Sequence, residues 1–184
     1  MKRAYRLLLP GLVIVTYGAR AEDKKGTVVT IDGLKSTTPA VWKVEKPPKE
    51  SKKFRLHQFR VPKAGDDKED ALMLVIYLGE GSGGTAKDNV ERWKGLFTPP
   101  KGKDIDDVTK VEKMKVSSVE VTYVDVRGTY NGAPFEKAKP KPNYRMLAVY
   151  FDSKTGPYFF RMVGPAKTVA EHKKGFDEWL KAFK

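Results

Sequence analysis

The chain contains no cysteine and only two histidines among its 184 residues. Without cysteine, no disulfide can stabilise the fold and no thiolate is available for zinc, for an iron–sulfur cluster or for nucleophilic catalysis. His57 and His172 lack metal-ligand spacing, and each falls in a pattern typical of core packing, so we interpret both as structural histidines. We therefore predict no metal site, no cofactor and no catalytic residue.

The sequence also lacks any apolar run of the ~20 residues that a membrane-spanning helix needs. The run Leu7–Val15, interrupted by proline and glycine, follows a basic start and precedes the small residues Ala19 and Ala21. This order is typical of a secretory signal peptide. We predict a signal peptide over residues 1–21, cleaved after Ala21, no transmembrane segment after cleavage, and a secreted or periplasmic protein. A buried first helix is the alternative, which the proline and the absence of helical periodicity disfavour.

Acidic residues are too few to balance the basic ones, and the formal net charge is +13. The excess is greatest between Lys43 and Lys63, and we define its centre as the basic patch. A basic surface attracts polyanions, so the predicted partners are an anionic envelope polymer or an envelope protein. A solvated, lysine-rich surface that only aids solubility is nevertheless favoured over such a partner. Nucleic-acid binding is not favoured, because the aromatic residues that stack on bases are not interleaved with these lysines. The basic patch comprises Lys46, Lys49, Lys52, Lys53 and Arg55.

A second basic stretch follows later in the chain, after the Asn-Gly pair at 131–132. It includes Lys137, Lys139, Lys141 and Arg145. We expect its side chains to add to the positive surface.

Alternating and β-branched segments predict about seven strands, joined mostly as hairpins. The segment 71–78 is apolar on both faces, which predicts a central strand covered on both sides. The alternation in residues 53–61 changes phase near His57 and Gln58, which predicts a β-bulge. Residues 35–39 are expected to form a loop. The remaining predicted strands are 27–31, 111–116, 119–129, 144–151 and 158–163.

Two helices are predicted among these strands. The first begins with a capping pattern at Thr85 and Asp88, and places Trp93 and Phe97 on one face. The second follows Gly164-Pro165 and is expected to be capped by Thr168 and Glu171. Because the strands and helices do not alternate, we predict an α+β fold: an antiparallel sheet of about six or seven strands with helices packed on it, forming one domain over residues 22–184.

The segment Gly79–Gly84 matches G-x-G-x-x-G between a strand and a helix. Dinucleotide binding is not favoured, because no βαβ unit surrounds the glycines. A structural turn is the preferred interpretation, with contact to an anion or a partner as the alternative. The candidate contact residues are Gly81, Gly83, Gly84, Asn89 and Arg92. For Asn89 and Arg92, local scaffolding at the helix start is favoured over ligand contact.

Two acidic clusters, at residues 66–70 and 104–107, lack the oxygen spacing of a calcium loop, and we interpret them as solvated turns. Paired carboxylates for a carboxylate-dependent envelope hydrolase remain an alternative, because a sequence contains no cross-strand distances. Trp42, Trp93 and Trp179 are consistent with a sugar site, although packing explains them more simply.

Several segments resemble a family of uncharacterised exported bacterial domains, and together they span roughly residues 38–180. They are Pro39–Lys43, Phe54–Phe59, Gly83-Gly84 with Asn89, Arg92 and Trp93, Gly128–Tyr130, and Tyr158–Pro165. At the level of fold, the last strand, Gly-Pro and helix are similar to PsbP-like domains, in which helices cover both faces of an antiparallel sheet. The resemblance implies an α/β/α sandwich with a binding or assembly role, and it implies no catalytic residue.

Overall fold

The computed structural model describes residues 25–133 and 139–184, so the predicted signal peptide and its cleavage site lie outside the described residues. Among the described residues, no helix combines the length and the apolarity needed to cross a membrane. The helices are α1 (Ala86–Lys94) and α2 (Ala166–Lys181). The strands are β1 (Val28–Ile31), β2 (Leu34–Thr37), β3 (Lys43–Val44), β4 (Arg55–Val61), β5 (Ala71–Tyr77), β6 (Phe97–Thr98), β7 (Thr109–Val116), β8 (Val119–Tyr130), β9 (Lys141–Ser153) and β10 (Gly156–Pro165).

Eight of these strands form one antiparallel sheet, in the order β3-β4-β5-β10-β9-β8. Both β6 and β7 pair with the outer edge of β8, at its two ends. The predicted α+β class is confirmed, whereas the predicted strand number of six or seven is too low. The difference arises because β3 and β6 are two-residue strands, too short to show an alternating pattern.

The sheet is buried on both faces because its central strands carry apolar side chains on both sides. One face packs against α2 through Val169, Phe176 and Trp179. The opposite face packs against Trp93 of α1. Since α2 has sixteen residues and α1 only nine, the α1 face is the less completely covered of the two.

The first two strands form a separate hairpin, which corrects the predicted loop at residues 35–39. Asp32 and Gly33 have φ values of 44° and 81°, as expected for a two-residue hairpin turn. The hydroxyl of Ser36 donates to the carbonyl of Trp179 at 2.7 Å. Contact with α2 therefore stabilises a strand whose polar sequence predicts a loop.

The capping pattern of α1 is confirmed, because Thr85 and Asp88 form a capping box. The helix nevertheless ends at Lys94, and Phe97 lies in β6, where it pairs with Tyr130. The prediction that Phe97 continues the helical face is therefore wrong. Pairing with the edge of β8 ends the helix before the prolines at 99–100.

The predicted cap of α2 is also wrong. The helix begins at Ala166, directly after Pro165, and Thr168 lies inside its first turn. The amide and the hydroxyl of Thr168 both donate to Oδ2 of Asp67, at 2.8 and 2.7 Å. A carboxylate about a hundred residues earlier in the chain thus satisfies the free donors of the helix start.

The predicted bulge in β4 is confirmed between Arg55 and His57. Arg55 pairs with Ile76, and Gln58 pairs with Leu74. Ile76 and Leu74 both belong to the core on the α1 face. The bulge therefore directs Arg55 and Gln58 to the same face, although residues three positions apart in a regular strand point to opposite faces.

Candidate functional site

A cleft of about 240 Å³ opens on the α1 face, beside the helix. It brings together candidate residues that the sequence places in two separate groups. Arg55 comes from the basic patch, whereas Asn89 and Arg92 follow the glycine segment. The cleft is lined by Phe54, Arg55, Ile76, Leu78, Asn89, Arg92, Trp93, Phe159 and Arg161.

The glycine segment 79–84 is a turn against the cleft wall. Gly81, Gly83 and Gly84 have φ values of 67°, 93° and 75°, a region that favours glycine. A Cβ on Gly83 would lie 2.5 Å from Cζ of Phe159, whereas a Cβ on Gly81 would meet no atom within 4 Å. The segment therefore packs on Phe159 through Gly83, while Gly81 lies at an open part of the turn.

Asn89 holds the glycine turn to the helix. It is 1% exposed, and its Nδ2 donates to the carbonyls of Gly83 and Thr85, both at 2.8 Å. Its Oδ1 accepts a hydrogen bond from Nη1 of Arg92 at 2.8 Å. Because both amide protons are used, Asn89 orients the turn and Arg92 rather than presenting a free donor to the cleft. This arrangement corresponds to local scaffolding at the helix start, the role that the sequence favours for Asn89.

Arg92 is an exposed cation at the cleft. One of its nitrogens is held by Asn89, and no carboxylate among the described residues lies within salt-bridge distance of it. Asp88 interacts with it electrostatically, but its carboxylate is bound to Thr85 in the capping box. The guanidinium therefore retains donors for another group.

Arg55 is half-buried in the cleft wall and is held by a chain of polar contacts. Its Nη1 donates to Oε1 of Gln58 at 3.2 Å, and Gln58 donates to Glu45 at 2.9 Å. Glu45 also accepts from Arg60 at 2.5 Å. The Nε of Arg55 is buried and has no hydrogen-bond partner among the described residues. Leaving a buried donor unsatisfied costs about 1–3 kcal/mol, which an added acceptor would recover.

Arg161 follows Phe159 by two positions in β10 and so lies on the same face of the sheet. It also lines an adjoining cleft of about 420 Å³, which contains Glu45, Glu69 and Lys141. Hydrogen bonds from Gln58 and Arg60 lower the pKa of Glu45, and a hydrogen bond from Lys141 lowers the pKa of Glu69. These two carboxylates are therefore stabilised in their ionised form.

The other basic residues do not meet at the cleft. Lys46, Lys49, Lys52 and Lys53 are all exposed and lie in the segment between β3 and β4. In the second basic stretch, the prediction is wrong for Arg145, which is buried and forms a bidentate ion pair with Asp125, at 2.8 and 2.5 Å. Lys139 is exposed, and Lys141 is partly buried and pairs with Glu69. Lys137 lies outside the described residues.

Both histidines have structural surroundings. Nε2 of His172 lies 2.9 Å from the carbonyl of Pro62. The His57 ring stacks on Phe59 with 6.1 Å between centroids, and burial lowers its pKa.

The acidic clusters and the tryptophans also have structural partners. Within the described residues, no three histidine and carboxylate side chains group as they would around a metal ion. In the acidic clusters, Asp67 binds α2 and Asp106 pairs with Lys94 at 2.6 Å. The three tryptophans are buried, and only Trp93 lines the cleft described above.

Sequence reasoning missed the apolar part of the cleft and Arg161. The alternation within β10 places Phe159 and Arg161 on the same face of the sheet, and the alternation within β5 determines the side chains that share a face with Ile76. Neither pattern shows which face α1 covers or how far the helix extends. The cleft forms because α1 covers only part of its face.

No protein-family model matches the chain, and no curated protein matches it. Among solved structures, the chain is similar to PA94, a protein of unknown function from Pseudomonas aeruginosa. The TM-score is 0.46 with 9% sequence identity, over 85% of this chain and 94% of that chain. A likeness of this degree supports no statement about shared activity.

Proposed function

We propose that this protein is a non-catalytic binding domain whose ligand is an anion held in the cleft beside α1. The observation that supports the proposal is the meeting of Arg55, Arg92 and Arg161 in one cleft. Among the residues that line this cleft, three are arginines and none is acidic. Guanidinium groups bind carboxylates and phosphates through paired hydrogen bonds, which gives both affinity and orientation.

In this proposal, the exposed lysines of the basic patch attract the ligand and do not bind it in the cleft. They lie in the chain directly before Arg55, and their charges would raise the local concentration of an anionic ligand or of an anionic partner. Their effect should decrease with salt, because exposed charges are screened over ~10 Å at 0.1 M ionic strength. The arginines of the cleft would then bind the ligand that the lysines attract.

A thermal-shift screen of the full chain against inorganic phosphate, sulfate and a polyanion tests the proposal. An anion that binds the folded state raises the melting temperature. The double variant Arg55→Gln/Arg92→Gln should lose this response, whereas the matched variant Lys174→Gln/Lys181→Gln, which makes the same change in charge on α2 across the sheet, should keep it. Equal losses in the two variants would contradict the proposal and indicate a diffuse basic surface.

The proposed setting is the cell envelope. The signal-peptide pattern and the resemblance to exported bacterial domains support it. The resemblance to the PsbP-like α/β/α sandwich, together with the positions of α1 and α2 on opposite faces of the sheet, supports a binding or assembly role instead. The partner would be an envelope protein or an anionic polymer. Mass spectrometry of the natural protein should find an N-terminus at Glu22, and an intact Met1 in the cytosol would contradict export.

The alternative, a carboxylate-dependent envelope hydrolase, needs one carboxyl group that keeps its proton at working pH and a second one nearby. In the larger cleft, Glu45 and Glu69 have the opposite property, because hydrogen bonds lower the pKa of each of them. Neither of these two residues therefore suits the role of the protonated acid.

A further inference from the structure

We infer that the cleft beside α1 takes a small aromatic carboxylate, with its ring against Phe54 and Leu78 and its carboxylate on Arg55. This inference rests on the proposed function and narrows its ligand to one chemical class. Three properties of the cleft support it: the apolar floor, the size, and the orientation of the Arg55 guanidinium.

The floor of the cleft is apolar and rich in rings. Phe54 and Leu78 contribute most of the accessible apolar surface, and the buried side chains of Ile76, Trp93 and Phe159 lie behind them. Leu78 is 44% exposed, which makes it one of the few large apolar side chains with substantial exposure among the described residues. A bare phosphate or sulfate would leave this surface in contact with water, whereas an aromatic ring would cover it and gain the free energy of apolar burial.

The size of the cleft limits the ligand to one or two rings. Its volume of about 240 Å³ corresponds to roughly eight water molecules at ~30 Å³ each. It is also below the ~300–1,000 Å³ of pockets for drug-sized ligands. A benzoate or a naphthoate fits such a volume, whereas a polymer segment would have to extend into the wider polar cleft that shares Arg161.

The Arg55 guanidinium is oriented for a planar carboxylate. Because Gln58 accepts from Nη1, the nitrogens that remain are Nε and Nη2, which form one side of the planar fork. This protein already uses that pair of atoms at Arg145, whose Nε and Nη2 hold the two oxygens of Asp125. A ligand carboxylate would bind the same edge of Arg55, which requires a small shift of the side chain because Nε is buried.

Isothermal titration of the full chain with acetate, benzoate, 2-naphthoate and the neutral 2-naphthalenemethanol tests this inference. We expect affinity to rise roughly tenfold with each added ring, because each buries more apolar surface. We expect the neutral compound to bind at least tenfold more weakly than 2-naphthoate, since it cannot form the charge-assisted pair.

Two variants and a control separate the contribution of the ligand's ring from the contribution of its charge. Arg55→Gln should weaken 2-naphthoate binding about tenfold or more, and Lys181→Gln, on α2 at the opposite face of the sheet, should leave it unchanged. Leu78→Ala removes a side chain that is 44% exposed, and it should weaken 2-naphthoate several-fold more than benzoate. Circular dichroism should find each variant folded.

The outcomes distinguish the inference from the proposed function. If phosphate, acetate and 2-naphthoate bind equally well through Arg55 and Arg92, the cleft is an anion site and the aromatic class is wrong. If 2-naphthalenemethanol binds as tightly as 2-naphthoate, the role of Arg55 is wrong. If no anion binds at the cleft, both the inference and the proposed function are overturned.

Discussion

Replacing Gly83 by alanine should destabilise the protein far more than the same replacement at Gly81. Both glycines have positive φ, and an alanine in such a conformation costs about 1–2 kcal/mol. At Gly81 this is the whole effect, because the new Cβ has open space around it. Gly81→Ala is therefore the matched control for backbone strain in the same turn.

At Gly83, the new Cβ would also collide with Phe159. The distance to Cζ is 2.5 Å and the distance to Cε2 is 3.0 Å. Phe159 is buried and packs edge-on against Tyr150, with 5.7 Å between ring centroids, so its ring has little room to move away. Overpacking of this kind costs about 1–3 kcal/mol, which brings the loss of stability to about 2–5 kcal/mol.

Thermal unfolding followed by circular dichroism measures the difference. At roughly 2–4 °C per kcal/mol for a domain of this size, Gly83→Ala should lower the melting temperature by about 10 °C and Gly81→Ala by about 4 °C. Equal shifts would refute the reasoning, because they would mean that the turn does not press on Phe159. The interpretation that the glycine turn packs on Phe159 through Gly83 would then be wrong.

Three further predictions concern contacts outside the turn. Asp67→Ala removes both acceptor contacts to Thr168 at the start of α2, and urea unfolding should detect a loss of about 1–2 kcal/mol. Arg145→Met leaves the mostly buried carboxylate of Asp125 without its bidentate partner, which should cost about 3–5 kcal/mol; adding Asp125→Leu should restore part of that loss, and no recovery would contradict the account. The lowered pKa of Glu45 stabilises the fold above its unfolded pKa near 4.5, and this contribution is lost as pH falls through the folded pKa. Glu45→Gln should therefore lose less stability than the parent between about pH 5 and pH 3, measured by urea unfolding at each pH.

Much of the fold follows from local pattern. The apolar run at 71–78 predicts a doubly covered strand, and β5 is buried on both faces. The capping box at Thr85 depends only on residues three apart, so the sequence shows it directly. The bulge in β4 appears as a change of phase in the alternation. Such features are predictable because each depends on neighbours a few residues apart in the chain.

Predictions failed where a distant part of the chain supplies the deciding contact. Residues 34–37 form a strand because Ser36 bonds to Trp179 in α2. Thr168 lies within α2 because Asp67, on another loop, supplies the acceptor at the helix start. Arg145 is not a surface cation because Asp125 on the neighbouring strand neutralises it. Local sequence propensity cannot identify these partners, because they lie far away in the chain.

The candidate site also has a part that the sequence predicts and a part that only the tertiary structure determines. Sequence alone identified Arg55 as part of a basic stretch, and Asn89 with Arg92 as the polar start of a helix after a glycine turn. Only the tertiary structure brings Arg55 and Arg92 into one cleft with Phe159 and Arg161. The physical reason is that alternation determines which side chains share a face of a strand, whereas strand order and the length of α1 determine which part of that face stays open.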